Sequence, residues 1–432
     1  MNNESTDLQI ENLVDGTLYS RAHRIKVPLK HNNSSAPSSS VEQIEIYIKE
    51  LSNEPFTQKK PLLLYLPGGP GFPPPRPFEN ASWIKQAIKK YHIVLMDPRG
   101  TGMSTPWNGA KLSALYPNTE LLADYLKCFR ADNIIRDAEL VRSELFGEKT
   151  KWSVIGQSFG GFCLMNYLSF YPEHLDEVFI TGGLPPFDIE IEDVYVTLFN
   201  KMIENNKQFF LQNPSSETLM KKLVNSLKDK PLQLRDGVLS ADRLSHLGLY
   251  LGMEVTPPKV LQLLETLDYY IERQLNDFID KKSFDLLYTF DDHPIYYVLQ
   301  EAIYCENRSS NWAATRVLKE LQQKHDWLDH YFWAEMIFPW MPRDYAALKP
   351  YEAATDLLAK YKWPILYDKQ ALSKNKVPVK AWVYKNDLYV DYKYSLNSAR
   401  KIGNIQLFES ETFAHDALRV HSETVFKAFL KS

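Results

Sequence analysis

Apolar and polar residues alternate along Thr17–Val27 and again along Val41–Leu51. A two-residue period predicts half-buried strands, here the two arms of an antiparallel hairpin. Between them Asn32–Ser40, rich in Asn and Ser, reads as an exposed loop. After residue 60 the pattern changes. Short apolar runs at Leu62–Leu66, His92–Met96, Trp152–Ile155 and Val178–Thr181 alternate with stretches of helical spacing, chiefly Ala81–Lys90 and Ala131–Leu145. Strand and helix in this order predict an α/β fold with a mostly parallel central sheet covered on both faces.

The alternation stops after Pro185-Pro186. From about Asp188 to about Leu348 helical periodicity dominates, as in Val194–Phe210, Ser216–Leu227 and Lys259–Phe278. Aromatic residues concentrate there, among them Tyr296, Tyr297, Trp312, Trp327, Tyr331, Phe332, Trp333 and Trp340. The sheet pattern resumes at Val379–Tyr384 and Ile405–Phe408, and a last helix is predicted over Ser422–Leu430. The expected organisation is a sheet domain in two pieces, 1–187 and 349–432, with a large helical cap, 188–348, inserted in it. A chain of 432 residues has room for both.

Composition narrows the class of partner. Apolar residues make up 44% and charged residues 24%, as in ordinary globular proteins. The net charge is −4 and no basic stripe stands out, so nucleic acid is not expected as a partner. Met1–Glu11 lacks the basic and apolar regions of a signal peptide, and no apolar run is long enough to cross a bilayer. Cys128, Cys163 and Cys305 are odd in number and far apart, which argues against a disulfide framework and a zinc site. The expectation is a cytoplasmic protein with no membrane partner.

The chemistry starts at Gly156-Gln157-Ser158-Phe159-Gly160, a G-x-S-x-G pattern with a predicted strand before it and a helix after it. Small residues two before and two after the serine relieve crowding in the tight turn that pushes Ser158 Oγ above the sheet. The helix that follows aims its N-terminus at the site and favours developing negative charge. About ninety residues earlier, Leu66-Pro67-Gly68-Gly69-Pro70-Gly71 directly follows a strand. Glycines there let backbone N–H groups approach a substrate carbonyl, so Phe159 N–H and Gly69 N–H, with Gly68 as the alternative, are the expected oxyanion-hole donors.

A serine nucleophile needs a base, and on this fold its partners follow in the order acid, then histidine. Of ten histidines only His415 and His421 lie after the last predicted strand. His415 sits in the loop after it, whereas His421 opens the terminal helix and reads as a surface or capping residue. The acid should follow the penultimate strand, where Asp387 is nearer the strand end than its competitor Asp391. Ser158, Asp387 and His415 are therefore the expected triad of an α/β-hydrolase fold. Asp97-Pro98-Arg99-Gly100-Thr101-Gly102 reads as a structural turn braced by an ion pair.

These motifs resemble the prolyl aminopeptidases, or proline iminopeptidases, a family of α/β-hydrolase serine peptidases. The resemblance rests on Gly68-Gly69-Pro70-Gly71, Asp97 to Gly102, Phe129-Arg130-Ala131-Asp132, Gly156 to Gly161, Gly182-Gly183-Leu184-Pro185-Pro186, Tyr384 to Asp391 and His415-Asp416, and covers most of the chain. It is strongest for the longer members with a large helical cap. Pro67 stands where many members have histidine, and Gln300-Glu301 and Ala334-Glu335 stand where His-Glu and Gly-Glu are expected. The resemblance implies release of an N-terminal residue, preferentially proline, from peptides with a free N-terminus. It also implies that the cap glutamates Glu301 and Glu335 bind the substrate's ammonium group, and it implies neither metal nor organic cofactor. An esterase or amidase of another substrate class, or a non-catalytic binding protein, would share the same scaffold.

Overall fold

The computed structural model describes residues 12–14, 16, 18–31, 42–56, 60–76, 82–275, 279–282, 284–324 and 330–431. The expected loop Asn32–Ser40 and Trp327 lie outside the described residues. Eleven strands occur among these residues: β1 (Asn12–Val14), β2 (Leu18–Pro28), β3 (Gln43–Ser52), β4 (Leu62–Leu66), β5 (His92–Met96), β6 (Trp152–Gln157), β7 (Leu175–Thr181), β8 (Leu232–Leu234), β9 (Gly237–Leu239), β10 (Val379–Tyr384) and β11 (Ile405–Ser410). Nine form one sheet in the order β1-β2-β3-β5-β4-β6-β7-β10-β11. The first three are antiparallel neighbours, and from β5 to β11 every pair is parallel.

The sequence pattern follows from this topology. In β2 the alternation faces Ile25 and Val27 into the core, as a sheet with one wet face requires. In β5 all five residues are buried: Ile93 and Leu95 pack on one face, Val94 and Met96 on the other. The face carrying Val94 and Met96 is covered by the helices Ala131–Phe146 and Phe159–Phe170. The opposite face is covered by Ser82–Ala87 and Ser422–Leu430 through Trp83, Phe426 and Phe429. Buried positions surround the helix Phe159–Phe170, so its sequence has no polar stripe to mark a solvent side.

Between β7 and β10 the chain is mostly helical. The longest helix, Ile191–Gln212, spans 22 residues, and Pro214–Asp229, Pro257–Glu272 and Ala313–Gln322 follow. Pro257-Pro258 opens its helix where proline's missing N–H costs nothing, two residues before the expected Lys259. Two details depart from expectation. The segment between β7 and β10 contains a small hairpin, β8–β9, whose three-residue strands are too short to leave a periodic signal. The helix expected over Ala81–Lys90 stops at Ala87, and Ala81 lies outside the described residues.

Candidate active site

Strand order brings five loops to one rim. β4 lies between β5 and β6, and Leu66 pairs with Gly156, so the glycine loop after β4 and the turn after β6 start side by side. β7 and β10 continue the same edge, with Thr181 opposite both Gln157 and Trp382, and β11 closes it with Ser410 opposite Tyr384. Everything beyond these carboxyl ends faces one crevice, the usual ligand position of an open parallel sheet.

Ser158 stands in that crevice with φ 53° and ψ −123°, between the end of β6 and the helix Phe159–Phe170. The glycines around it are sterically required. A Cβ on Gly160 would fall 2.1 Å from Leu66 O, and one on Gly156 would fall 2.5 Å from the Gly160 carbonyl carbon. The turn is pinned by Ser158 N–H donating to Thr181 O at 3.0 Å. Phe159 begins the helix, where N–H groups of the first turn have no partner within the helix. Gly68 packs against the serine: a Cβ there would lie 3.2 Å from Ser158 Cβ. Gly68 and Gly69 both line the crevice.

His415 follows β11 and Asp387 follows β10. Their side chains meet, Nδ1 to Oδ2, at 2.7 Å. Asp387 is fixed through its other oxygen, which accepts the N–H groups of Tyr389 at 2.8 Å and Val390 at 3.0 Å. The Tyr389 ring packs on the imidazole with centroids 4.5 Å apart. Burial alone would lower the His415 pKa, but Asp387, followed by Glu335 and Asp416, outweighs it and the pKa lies above its ordinary value. The competitors are occupied elsewhere. Asp391 caps the helix Tyr392–Ala399 and pairs with Lys201 at 2.9 Å. His421 pairs with Glu254 at 2.6 Å and stacks on Phe413.

The crevice deepens into a cavity of about 530 Å³ lined by Gly68, Gly69, Ser158, Tyr296, Glu335 and His415, among others. The segment between β7 and β10 supplies its far wall and touches the glycine loop, with His293 Nδ1 3.1 Å from Gly71 O and the His293 ring stacked on Phe72. Glu335 is 5% exposed. Burial pushes its carboxyl pKa up to about 8; Asp387 adds to the rise, while Tyr296, His415 and Tyr304 oppose it.

The two cap glutamates do not come together in this cavity. Glu301 is also buried, but its carboxylate accepts the N–H groups of Ala313 at 3.2 Å and Ala314 at 2.9 Å. Those amides open the helix Ala313–Gln322, whose N-cap residue, Trp312, has no side-chain acceptor. Glu301 thus serves the helix start and lines a separate cavity of about 10 Å³ beside Trp312 and Trp363. The expected ion pair within Asp97–Gly102 takes another form. Arg99 is bidentate on Asp137 at 2.7 and 2.6 Å, and Asp97 pairs with Arg76. Sequence reading missed the tyrosines that position the polar groups: Tyr296 and Tyr304 on Glu335, and Tyr389 on His415. Only their placement among the aromatics of the cap, or inside Tyr384–Asp391, hinted at them.

Comparison with other proteins places this geometry. Among solved structures, a hydrolase from Pseudomonas aeruginosa PA01 aligns over 93% of this chain and 100% of its own, with 11% identity and a TM-score of 0.42. Residues 61–284 match the α/β hydrolase fold family, to which the chain belongs. A proline iminopeptidase of Aeromonas sobria is 36% identical over 425 residues, covering 97% of each chain. A second, from Aspergillus aculeatus, is 32% identical over 418 residues, covering 94% of this chain and 91% of its own. Within the α/β hydrolases the chain is a member of the proline iminopeptidase family.

Proposed function

We propose that this prolyl aminopeptidase releases an N-terminal residue, preferentially proline, from peptides through an acyl-enzyme on Ser158. Ser158 Oγ attacks the carbonyl of the first residue while His415 takes its proton. Asp387 holds the imidazole in the Nδ1–H tautomer and stabilises the imidazolium that forms. The N–H groups of Phe159 and Gly69, with Gly68 the alternative to Gly69, take up the oxyanion. His415 then protonates the leaving amine, and water frees the acyl group.

The observation that carries this reading is a single cavity that holds the serine, the histidine and a buried carboxylate. An exopeptidase must measure one residue from the chain end, and Glu335 does so by pairing with the α-ammonium. The rings of Phe72, Tyr296 and Tyr389 give the proline ring an apolar wall. Glu301 stays with its helix. Residues 188–348 act as the cap that closes the site against peptides without a free N-terminus. Three buried free thiols suit a reducing compartment, so the proposed location is the cytoplasm, with neither nucleic acid nor membrane as partner.

Hydrolysis of Pro-, Ala- and acetyl-Pro-arylamides by one preparation tests the proposal. Activity should fall steeply on acetylation; equal rates would remove Glu335 as anchor. A covalent serine probe should label the wild type and spare Ser158→Ala, and equal labelling of both would remove the nucleophile.

A further inference from the structure

Glu335 is held by two phenols, one on each carboxylate oxygen. Tyr296 donates its hydroxyl to Oε2 at 2.8 Å, and Tyr304 donates to Oε1 at 3.3 Å. Both come from one short stretch of the cap, the helix Pro294–Leu299 and the turn Glu301–Tyr304. The other titratable groups facing Glu335 are His415, Asp387, Tyr389 and Tyr195, whose buried hydroxyl makes no hydrogen bond to it. His415 and Asp387 are bonded to each other, and the Tyr389 hydroxyl donates to Leu249 O. A carboxylate offers about four acceptor positions, two on each oxygen. With one on each oxygen taken by a phenol, two remain on a side chain that lines the cavity.

The N-terminus of a peptide that starts with proline is a secondary ammonium with two N–H donors. Any other unmodified first residue brings a primary ammonium with three. Building on the reading of Glu335 as the ammonium anchor, we propose that Tyr296 and Tyr304 are positioning residues that leave Glu335 two open acceptor positions and so favour secondary over primary ammonium groups by donor count. The third N–H of a primary ammonium then finds no acceptor left on Glu335, in a cavity whose lining includes the rings of Phe72, Tyr296 and Tyr389. A buried charged donor without a partner lowers kcat/KM by about tenfold or more.

Fit of the pyrrolidine ring also favours proline, and N-methylalanine separates the two effects. It has proline's secondary ammonium and alanine's open side chain. The experiment compares prolyl-, N-methylalanyl- and alanyl-arylamides on the wild type, Tyr296→Phe and Tyr304→Phe. On the wild type the N-methylalanyl substrate should exceed the alanyl one in kcat/KM by about tenfold. Each phenylalanine variant returns one acceptor position to Glu335, so the ratio should shrink towards one, mainly through faster alanyl turnover. If Tyr296→Phe fails to fold, the wild-type ratio and Tyr304→Phe decide. An N-methylalanyl substrate no better than the alanyl one on the wild type overturns the donor count and leaves ring fit as the source of selectivity, with Glu335 still the anchor. Loss of the free-amine requirement in the acetyl-prolyl control would instead overturn the anchor itself.

Discussion

The substitution Glu335→Gln should stabilise the protein, and more so the higher the pH. The carboxyl is 5% exposed, and its pKa rises from an ordinary 4.5 to about 8, burial being the leading cause. Below pH 4.5 it is protonated in the folded and the unfolded chain alike, so its contribution to stability is intact. Between pH 4.5 and 8 the unfolded chain loses the proton while the folded chain keeps it, and stability falls as pH rises. Above pH 8 the loss is complete. At about 1.4 kcal/mol per pH unit, the interval from 4.5 to about 8 amounts to about 5 kcal/mol. That is comparable with the whole stability of a modest domain, roughly 5–15 kcal/mol. The glutamine side chain carries no charge at any of these pH values, and its carbonyl oxygen still accepts one of the two tyrosine hydroxyls. Urea unfolding of wild type and variant at pH 5, 7 and 9 measures the effect. The two proteins should differ by no more than about 1 kcal/mol at pH 5, the scale of one altered hydrogen bond. By pH 9 the variant should lead by several kcal/mol, about 5 at most. A difference of the same size at pH 5 and pH 9 would refute a protonated, buried Glu335.

Three further substitutions probe the frame around it. Gly160→Ala puts a methyl 2.1 Å from Leu66 O, a backbone atom that cannot swing aside, so unfolding free energy should drop by about 3 kcal/mol or more, with the serine displaced and activity lost together. Glu301→Ala leaves the first amides of the helix Ala313–Gln322 unserved; stability should fall by about 1–3 kcal/mol while the preference for free over acetylated proline, read from arylamide rates, is unchanged. Asp387→Asn removes the leading carboxylate that opposes burial and raises the His415 pKa, so the pKa drops. The base must be neutral to act, so the acidic limb of the kcat profile should move to lower pH while the plateau falls by about 10³-fold or more.

The three residues proposed as a triad could be read from the sequence because each occupies a position that topology dictates. Gly156 and Gly160 cannot be larger without striking β4 or their own turn, so the pentad around Ser158 carries the fold's steric requirement in its letters. Asp387 and His415 could be picked because each is the first suitable side chain after its strand. Asp391 and His421 lie a few residues on, where helices begin and make their own demands. Glu301 and Glu335 could not be separated in the same way. Both stand in apolar, aromatic surroundings, and their difference is set by what lies opposite each of them. For Glu301 that is a helix start twelve residues ahead, which nothing in the local spacing announces, since Trp312 is not a capping residue. For Glu335 it is the pair of phenols, themselves ordinary members of an aromatic-rich segment. The short strands β8 and β9 were invisible for a simpler reason: three residues do not make a period.

Glu335 also bears on when the base is ready. An ionised Glu335 would raise the His415 pKa, because the two share one low-dielectric cavity, and a protonated imidazole cannot take the serine's proton. Two circumstances remove that charge. In the empty site near neutral pH the carboxyl keeps its proton, since its pKa is about 8. In the occupied site the substrate's ammonium cancels it, on the anchor role proposed for Glu335. His415 then answers mainly to Asp387, whose charge it needs when the imidazolium forms. Only an empty site above about pH 8 exposes the base to an unbalanced second carboxylate. An anchor in a remote, solvated subsite would avoid the stability cost, but its charge state would be decoupled from the base. Buried beside His415, the proposed anchor exchanges its proton for the substrate's ammonium, so the charge beside the base stays balanced whether the site is empty near neutral pH or occupied.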